Sequence, residues 1–269
     1  MSSSRKVCVT AADGNTGFLI AELILKHRDF SRKVSGVVGL ALDPDSDHAK
    51  ELKELGATIV RHEPGRLRVM IKALKETGCD TICLVPPAHE HKIEICEDAG
   101  FYAENLLLYA PQAKEEGILP LPIGEKHKFA PVALGDVAHV AAHVVTGKGK
   151  HGFDDKHRGQ MMVVTGPTLC AGKELAAAAS KALGTELQFE HIAQAEAKKV
   201  LKAHSDIDKS EQQYILEYYS LVREGKTNYV ATTAFHDVTG EHPTEAENFF
   251  QMYQSEMRPK KKAKHEHKG

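Results

Sequence analysis

The chain has 269 residues, 42% hydrophobic and 27% charged, with 21 Gly and 11 Pro, an ordinary soluble composition with length for one large or two small cores. No apolar run approaches the ~20 residues that span a bilayer, and the opening MSSSRK lacks the apolar stretch of a secretory signal, so a cytoplasmic protein without membrane contact is expected. The formal net charge is −2, but residues 258–269 carry six Lys/Arg against one Glu, which leaves the remainder at −7 and without an electrostatic reason to bind DNA.

The first third alternates strand and helix patterns. Lys6 to Thr10 reads as a strand, Gly14 and Gly17 follow as a turn, and Leu19, Ile20, Leu23 and Ile24 then recur at helical spacing. A second strand, Val34 to Leu42, ends in Asp43-Pro44-Asp45. Ala49, Leu52 and Leu55 continue as a helix until Gly56. Thr58 to His62 reads as the third strand, Leu67, Met70, Ile71 and Leu74 as the third helical stripe, and Thr81 to Val85 as the fourth strand before Pro86-Pro87. This alternation predicts a parallel sheet with right-handed crossovers, an α/β fold of the Rossmann kind.

After residue 87 the rhythm breaks. A helix expected near Lys92 is interrupted by Glu97-Asp98-Ala99-Gly100, and the apolar segment Phe101 to Tyr109 follows at once. Phe129 to Leu134 reads as extended, Asp136 to Val145 as a helix, and Gln160 to Thr165 as a late strand. Beyond Gly166-Pro167 the chain is expected to be mostly helical: Glu174 to Leu183, Ala195 to Ala203, Glu211 to Glu224, and a last helix capped by Thr244 with Glu247 three residues on. The expected organisation is a dinucleotide-binding domain over 1–165, a helical lobe over 166–257 and a basic tail over 258–269.

The strongest motif is Val7-Cys8-Val9-Thr10-Ala11-Ala12-Asp13-Gly14-Asn15-Thr16-Gly17, a glycine turn between first strand and first helix. Such a turn lets backbone approach a pyrophosphate while the helix N-terminus receives its charge. Thr10, Ala11, Ala12, Gly14, Asn15, Thr16 and Gly17 are therefore candidate cofactor contacts; the competing reading is a tight turn with no ligand. Only Gly14 and Gly17 match G-x-x-G-x-x-G, and Ala11 in the first glycine's place requires a negative φ there. Asp43, at the end of the second strand, is the candidate ribose contact, which favours NAD over NADP; ordinary turn and cap chemistry explains an Asp-Pro-Asp cluster equally well. Val85, Pro86 and Pro87 would flank the crevice at the carboxyl end of strand four, or simply terminate it.

Other constellations are weaker. Five cysteines, Cys8, Cys79, Cys83, Cys96 and Cys170, form an odd set without C-x-x-C spacing, pointing to reduced thiols. His139 and His143 stand four apart on one predicted helix but lack the H-E-x-x-H pattern and lie off its apolar stripe, so a solvated face is expected and no metal. None of the seven tyrosines has Lys four residues later, and no catalytic set emerges. Tyr214, Ile215, Tyr218, Tyr219 and Val222 make an aromatic stripe, read as core in preference to a ligand wall. Lys260 to Lys264 has the look of a nuclear-import patch or a solubilising tail.

Taken together, VTAADGNTG, GCDTICLVPP, AGFYAENLLLYA, GILPLPIGEKHKFAPVALGDVAHVAAHVVTGKG and GQMMVVTGPTLCAGKELAAAASKALG resemble the NmrA-like family, atypical relatives of the extended short-chain reductases. The resemblance implies a Rossmann domain with a smaller C-terminal lobe, binding NAD or NADP. It also implies either a redox-sensing regulator that holds a protein partner or an NAD(P)H-dependent quinone reductase acting on a small molecule. One departure stands out: Glu97-Asp98 joins almost directly to Ala99-Gly100-Phe101, where the family pattern carries about two further βα units of ~30 residues each. Strand four would then become a sheet edge open to homodimer pairing, and a remnant without cofactor affinity is the third expectation.

Overall fold

The computed structural model describes residues 5–63, 66–85, 101–147, 157–203 and 209–259. The expectations placed on Pro86, Pro87, Cys96, the helix near Lys92, the Glu97–Gly100 junction and Lys260 to Lys264 lie outside them. By compactness the chain divides into two units, one built from 1–98, 134–163 and 234–241, the other from 99–133, 164–233 and 242–269. The division therefore departs from the boundary expected at 165: residues 99–133 join the second unit and 234–241 the first.

The first unit follows the expected alternation: β1 (Arg5–Val9), α1 (Asn15–Lys26), the short α2 (Arg28–Ser31), β2 (Val34–Ala41), α3 (Asp47–Glu54), β3 (Thr58–Arg61), α4 (Leu67–Thr77) and β4 (Thr81–Cys83). The strands pair in parallel in the order β3-β2-β1-β4, with Val7 opposite both Val37 and Thr81. Because side chains alternate across a strand, Val7, Val9 and Val37 enter one core with Phe18, Ile20, Ala21 and Ile24 of α1, while Cys8, Val38 and Leu40 meet Met70 of α4 on the opposite face. The helix Leu134–Val145 adds Ala138, Ala142 and Val145 to the α1 core.

The second unit holds a parallel pair that the sequence pattern had not announced, β5 (Ile118–Leu121) and β6 (Gln188–His191). Around it stand a 3₁₀ segment Ala103–Tyr109 and the helices Gly172–Leu183, Gln194–Ala203, Lys209–Arg223 and Ala246–Met252. The aromatic stripe is core: Ile215, Tyr219 and Val222 are fully buried, and the Phe101 ring lies 5.2 Å from Phe129 and 5.4 Å from Tyr219.

Two local expectations are corrected. Residues 160–165 form no strand, since no ladder reaches them among the described residues; Gln160 N–H turns back to His157 O (3.2 Å) and Met161 is 81% exposed. Glu245, in extended conformation, occupies the cap position of the last long helix in place of Thr244. Among the described residues, no helix is long and apolar enough to cross a membrane.

Candidate functional site

The carboxyl ends of the four strands converge on the turn between β1 and α1. The chain leaves β1 through Thr10, whose N–H donates to Cys83 O (3.1 Å) and whose hydroxyl both donates to Val85 O and accepts from Val85 N–H, each at 2.7 Å. One hydroxyl thus ties the end of β1 to the end of β4. The strand order changes direction between these two strands, which is where an open α/β sheet leaves its ligand crevice.

Ala11 follows with φ +48°, so the negative φ required of it is not what the structure shows. An alanine occupies the left-handed region that the family pattern gives to glycine, at a strain of roughly 1–2 kcal/mol. Ala12, fully buried, anchors the turn to β2 through its N–H to Leu40 O (2.8 Å). Gly39 of β2 makes room for it: a Cβ there would lie 2.8 Å from the Ala12 methyl.

The two glycines do different work. At Gly17 a Cβ would meet Ala11 O at 2.2 Å and Thr10 O at 2.7 Å, so α1 lies against β1 as closely as backbone permits. At Gly14 the same atom would meet only Ala11 O, at an ordinary 3.4 Å. Gly14 is exposed and is the N-cap of α1, in extended conformation, with no side-chain cap and no acidic residue in the first turn. The first intrahelical bond runs from Phe18 N–H to Gly14 O (2.9 Å). The N–H groups of Asn15, Thr16 and Gly17 therefore precede the helical ladder at the positive end of the helix dipole.

The neighbouring loop is locked onto this turn. Asp13 accepts from Asp43 N–H through Oδ2 (2.8 Å), and its carbonyl accepts from His48 Nδ1 (3.1 Å), whose ring stacks on Phe18 at 4.2 Å. Asp43 is exposed, and its Oδ1 accepts from Asp45 N–H (3.1 Å); Ser46 then caps α3 by accepting from Ala49 N–H (3.2 Å). The turn chemistry foreseen for Asp-Pro-Asp is thus realised, at the position where a ribose-reading acid stands in this fold.

Pairing of β2 with β3 brings in two side chains that the sequence reading passed over. Arg61 lies opposite Ala41, and its guanidinium donates to Leu42 O (3.4 Å); His62 N–H donates to Ala41 O (2.7 Å). Only the register, invisible in a linear pattern, places them beside Asp43. Asp13 and His48 were likewise legible only once α3 was set against α1.

The histidines of the helix Leu134–Val145 are half-buried, which corrects the solvated-face expectation. His143 stacks edge-on to Phe30 (4.8 Å), and His139 lies 6.4 Å from Phe235 and 6.3 Å from His27. Burial pushes the His139 pKa down, helped by His143 and His27 and opposed by Glu241 and Asp136. Among the described residues no group of His, Cys, Asp and Glu is arranged to hold a metal ion. Cys8, Cys79, Cys83 and Cys170 are free thiols; burial pushes Cys8 up to about 12 and Cys83 to about 11.

A four-stranded parallel sheet with a glycine turn and an uncapped helix at its switch point defines a Rossmann-type fold. Solved structures sharing it include the NADPH-dependent quinone oxidoreductase of Escherichia coli (TM-score 0.67, 19% identity, 92% of this chain and 99% of that one). The NADP complex of NmrA, a negative transcriptional regulator, matches with TM-score 0.64 and 12% identity over 93% and 95%. A nucleoside-diphosphate-sugar epimerase of Staphylococcus aureus matches with TM-score 0.68 and 16% identity over 91% and 99%. These neighbours share the Rossmann-type fold that the resemblance to the NmrA-like family implies. No family model matches the chain. In sequence, 102 residues are 35% identical to an NAD(P)H azoreductase of Xenophilus azovorans, covering 38% of this chain and 33% of that protein. A stretch of 150 residues is 29% identical to the Prestalk A differentiation protein A of Dictyostelium discoideum, covering 55% and 46%. The chain thus matches less than half the length of either relative.

Proposed function

We propose that this protein binds NAD(P) as a redox-sensing regulator of the NmrA-like kind, presenting a dinucleotide-dependent surface to a protein partner without sustaining robust turnover. The observation that carries the reading is the start of α1. An uncapped helix N-terminus meets an exposed glycine at the sheet's switch point, the arrangement that receives a pyrophosphate. The remaining contacts follow from position: Thr10, Ala11 and Ala12 shape the turn, Asn15, Thr16 and Gly17 supply N–H donors, and Asp43 takes the adenosine ribose. Val85 borders the nicotinamide end. The Asp43 carboxylate disfavours a 2′-phosphate, which favours NAD; the NADP(H) named with the structural neighbours makes NADP the alternative.

Calorimetric titration of NAD, NADH, NADP and NADPH into monodisperse protein tests this, with Gly14→Asp as control. The substitution leaves the packing of the turn intact, because the Gly14 position admits a Cβ, and places a carboxylate where the pyrophosphate lies. Micromolar binding lost in Gly14→Asp supports the reading. No binding by folded protein overturns it in favour of the remnant lacking two βα units.

The azoreductase likeness favours a second reading, an NAD(P)H-dependent oxidoreductase. A bound nicotinamide would supply the hydride, and the protein would position it. Steady oxidation of NADH or NADPH with a quinone and azo-dye panel, abolished by Gly14→Asp, would establish that reading over the regulatory one.

A further inference from the structure

The second unit holds a polar cavity of about 470 Å³ between the helices Gln194–Ala203 and Lys209–Arg223. Ala197, Leu201, Ile215 and Leu216 seat these helices on the core. From the first helix, Gln194, Lys198 and Lys202 line the cavity, spaced by four and therefore on one face; from the second come Lys209, Gln213 and Glu217, over a floor made by Leu216. Glu217 accepts from Gln213 Nε2 (2.8 Å), and Glu196 is turned to the start of its own helix, accepting from Ala193 N–H (3.0 Å). Gln194 Oε1 accepts from Arg223 (2.9 Å), whose guanidinium also donates to Pro122 O and Ser220 Oγ, both at 2.6 Å. Left without a partner among the described residues are the amide N–H groups of Gln194 and the ammonium groups of Lys198, Lys202 and Lys209.

Three positive charges thus face one carboxylate that is already hydrogen-bonded, in a concavity of the size that holds a small organic ligand. An anion entering it exchanges hydration for charge-assisted hydrogen bonds, the stronger kind. The ammonium groups stand at three positions around the cavity and do not converge on one point, so they suit an acid whose charge is spread over several groups better than a single phosphate. We propose that this cavity binds a small organic acid bearing two or three carboxylates, anchored by Lys198, Lys202 and Lys209, with Gln194, preset by Arg223, donating to a carboxylate oxygen. None of these residues belongs to the unit that carries the glycine turn, so the inference stands apart from the dinucleotide reading and gives the protein a second small-molecule input.

Calorimetric titration of citrate into the full chain tests this, with acetate and inorganic phosphate as comparison anions. Wild type should bind citrate in the submillimolar range, about tenfold or more tighter than either comparison anion. Lys198→Gln and Lys202→Gln should each weaken citrate about tenfold, the loss of one charge-assisted hydrogen bond. Lys199→Gln removes the same charge from the same helix but lies outside the cavity, and it should bind citrate as wild type does. All three lysines are exposed, so the substitutions leave the core untouched, and circular dichroism checks that each variant is folded. No citrate binding by folded wild type overturns the inference. So does an equal loss in Lys199→Gln, which would reduce the effect to general surface charge, and so does phosphate binding as tightly as citrate, which would remove the polycarboxylate assignment.

Discussion

Gly17→Ala against Gly14→Ala separates packing from binding at the turn. A Cβ at position 17 would sit 2.2 Å from Ala11 O and 2.7 Å from both Ala11 C and Thr10 O, against 3.4–4 Å for ordinary contact. The helix or the strand end must therefore move by roughly 1 Å, and every atom in the way is backbone, which cannot rotate aside. A loss of about 3 kcal/mol is expected, near the upper end of overpacking effects, or a fall in Tm of roughly 6–12 °C for a chain of this size. At Gly14 the added methyl finds ordinary contact in extended backbone, so the loss should stay below ~1 kcal/mol, mainly from a poorer N-cap. Thermal melting followed by circular dichroism at neutral pH reads both. A Gly17→Ala melt within 2 °C of wild type, on the order of a single weak contact, would refute the close approach of α1 to β1. Equal damage at both positions would show Gly14 to be a packing residue and remove its part in cofactor recognition.

Three further outcomes are expected. Thr10→Val keeps the shape of the side chain but leaves Val85 N–H and C=O without the Thr10 hydroxyl; urea unfolding should show a loss of about 1–3 kcal/mol, and an unchanged midpoint would mean that the tie between β1 and β4 carries no stability. The folded-state pKa of His139 lies below its ordinary value of 6.5, so the unfolded chain takes up the proton first. The stability contributed by His139 is thus full above about pH 6.5 and declines as pH falls through 6.5 toward the folded value; His139→Phe should flatten that slope in unfolding curves from pH 5 to 8, and an unaltered slope would place the titration elsewhere. Iodoacetamide at pH 8, read by peptide mass spectrometry, should leave Cys8, Cys83 and Cys170 unlabelled until denaturant is added, because burial pushes them to about 12, 11 and 11; rapid native labelling of Cys8 would contradict its burial on the sheet face against Met70 of α4.

The first unit was legible because each of its strands is a short β-rich run closed by a turn signal. Asp43-Pro44-Asp45 and Gly56 delimit α3 as plainly in three dimensions as in the sequence. β5 and β6 were not legible. Ile118-Leu119-Pro120-Leu121 carries a proline, and Gln188-Phe189-Glu190-His191 has one apolar residue in four, so neither shows a strand pattern; parallel pairing in a two-stranded sheet is what makes them strands. Gln160 to Thr165 failed for the converse reason, a β-rich run with no neighbour to pair with among the described residues. At the site, Gly14, Gly17 and Asp43 announce themselves by residue type and spacing. Asp13, His48, Arg61 and His62 acquire their roles only through register and helix packing, which a single sequence does not encode locally.

The hydrogen bonds of Asp13 have a thermodynamic corollary. One residue fastens the glycine turn to the β2–α3 loop through its carboxylate and to α3 through its carbonyl, so the backbone that would cradle phosphate and the backbone that would meet the ribose form one rigid frame before any ligand arrives. A frame already assembled spends little ordering entropy on capture. Association would then be fast and nearly free of loop rearrangement, and the heat-capacity change would reflect only the surface that the cofactor covers. In a sensor this is useful, because a pocket that does not reshape itself reports the ambient dinucleotide level in proportion, and any conformational signal to a partner must come from what the bound molecule touches beyond that frame.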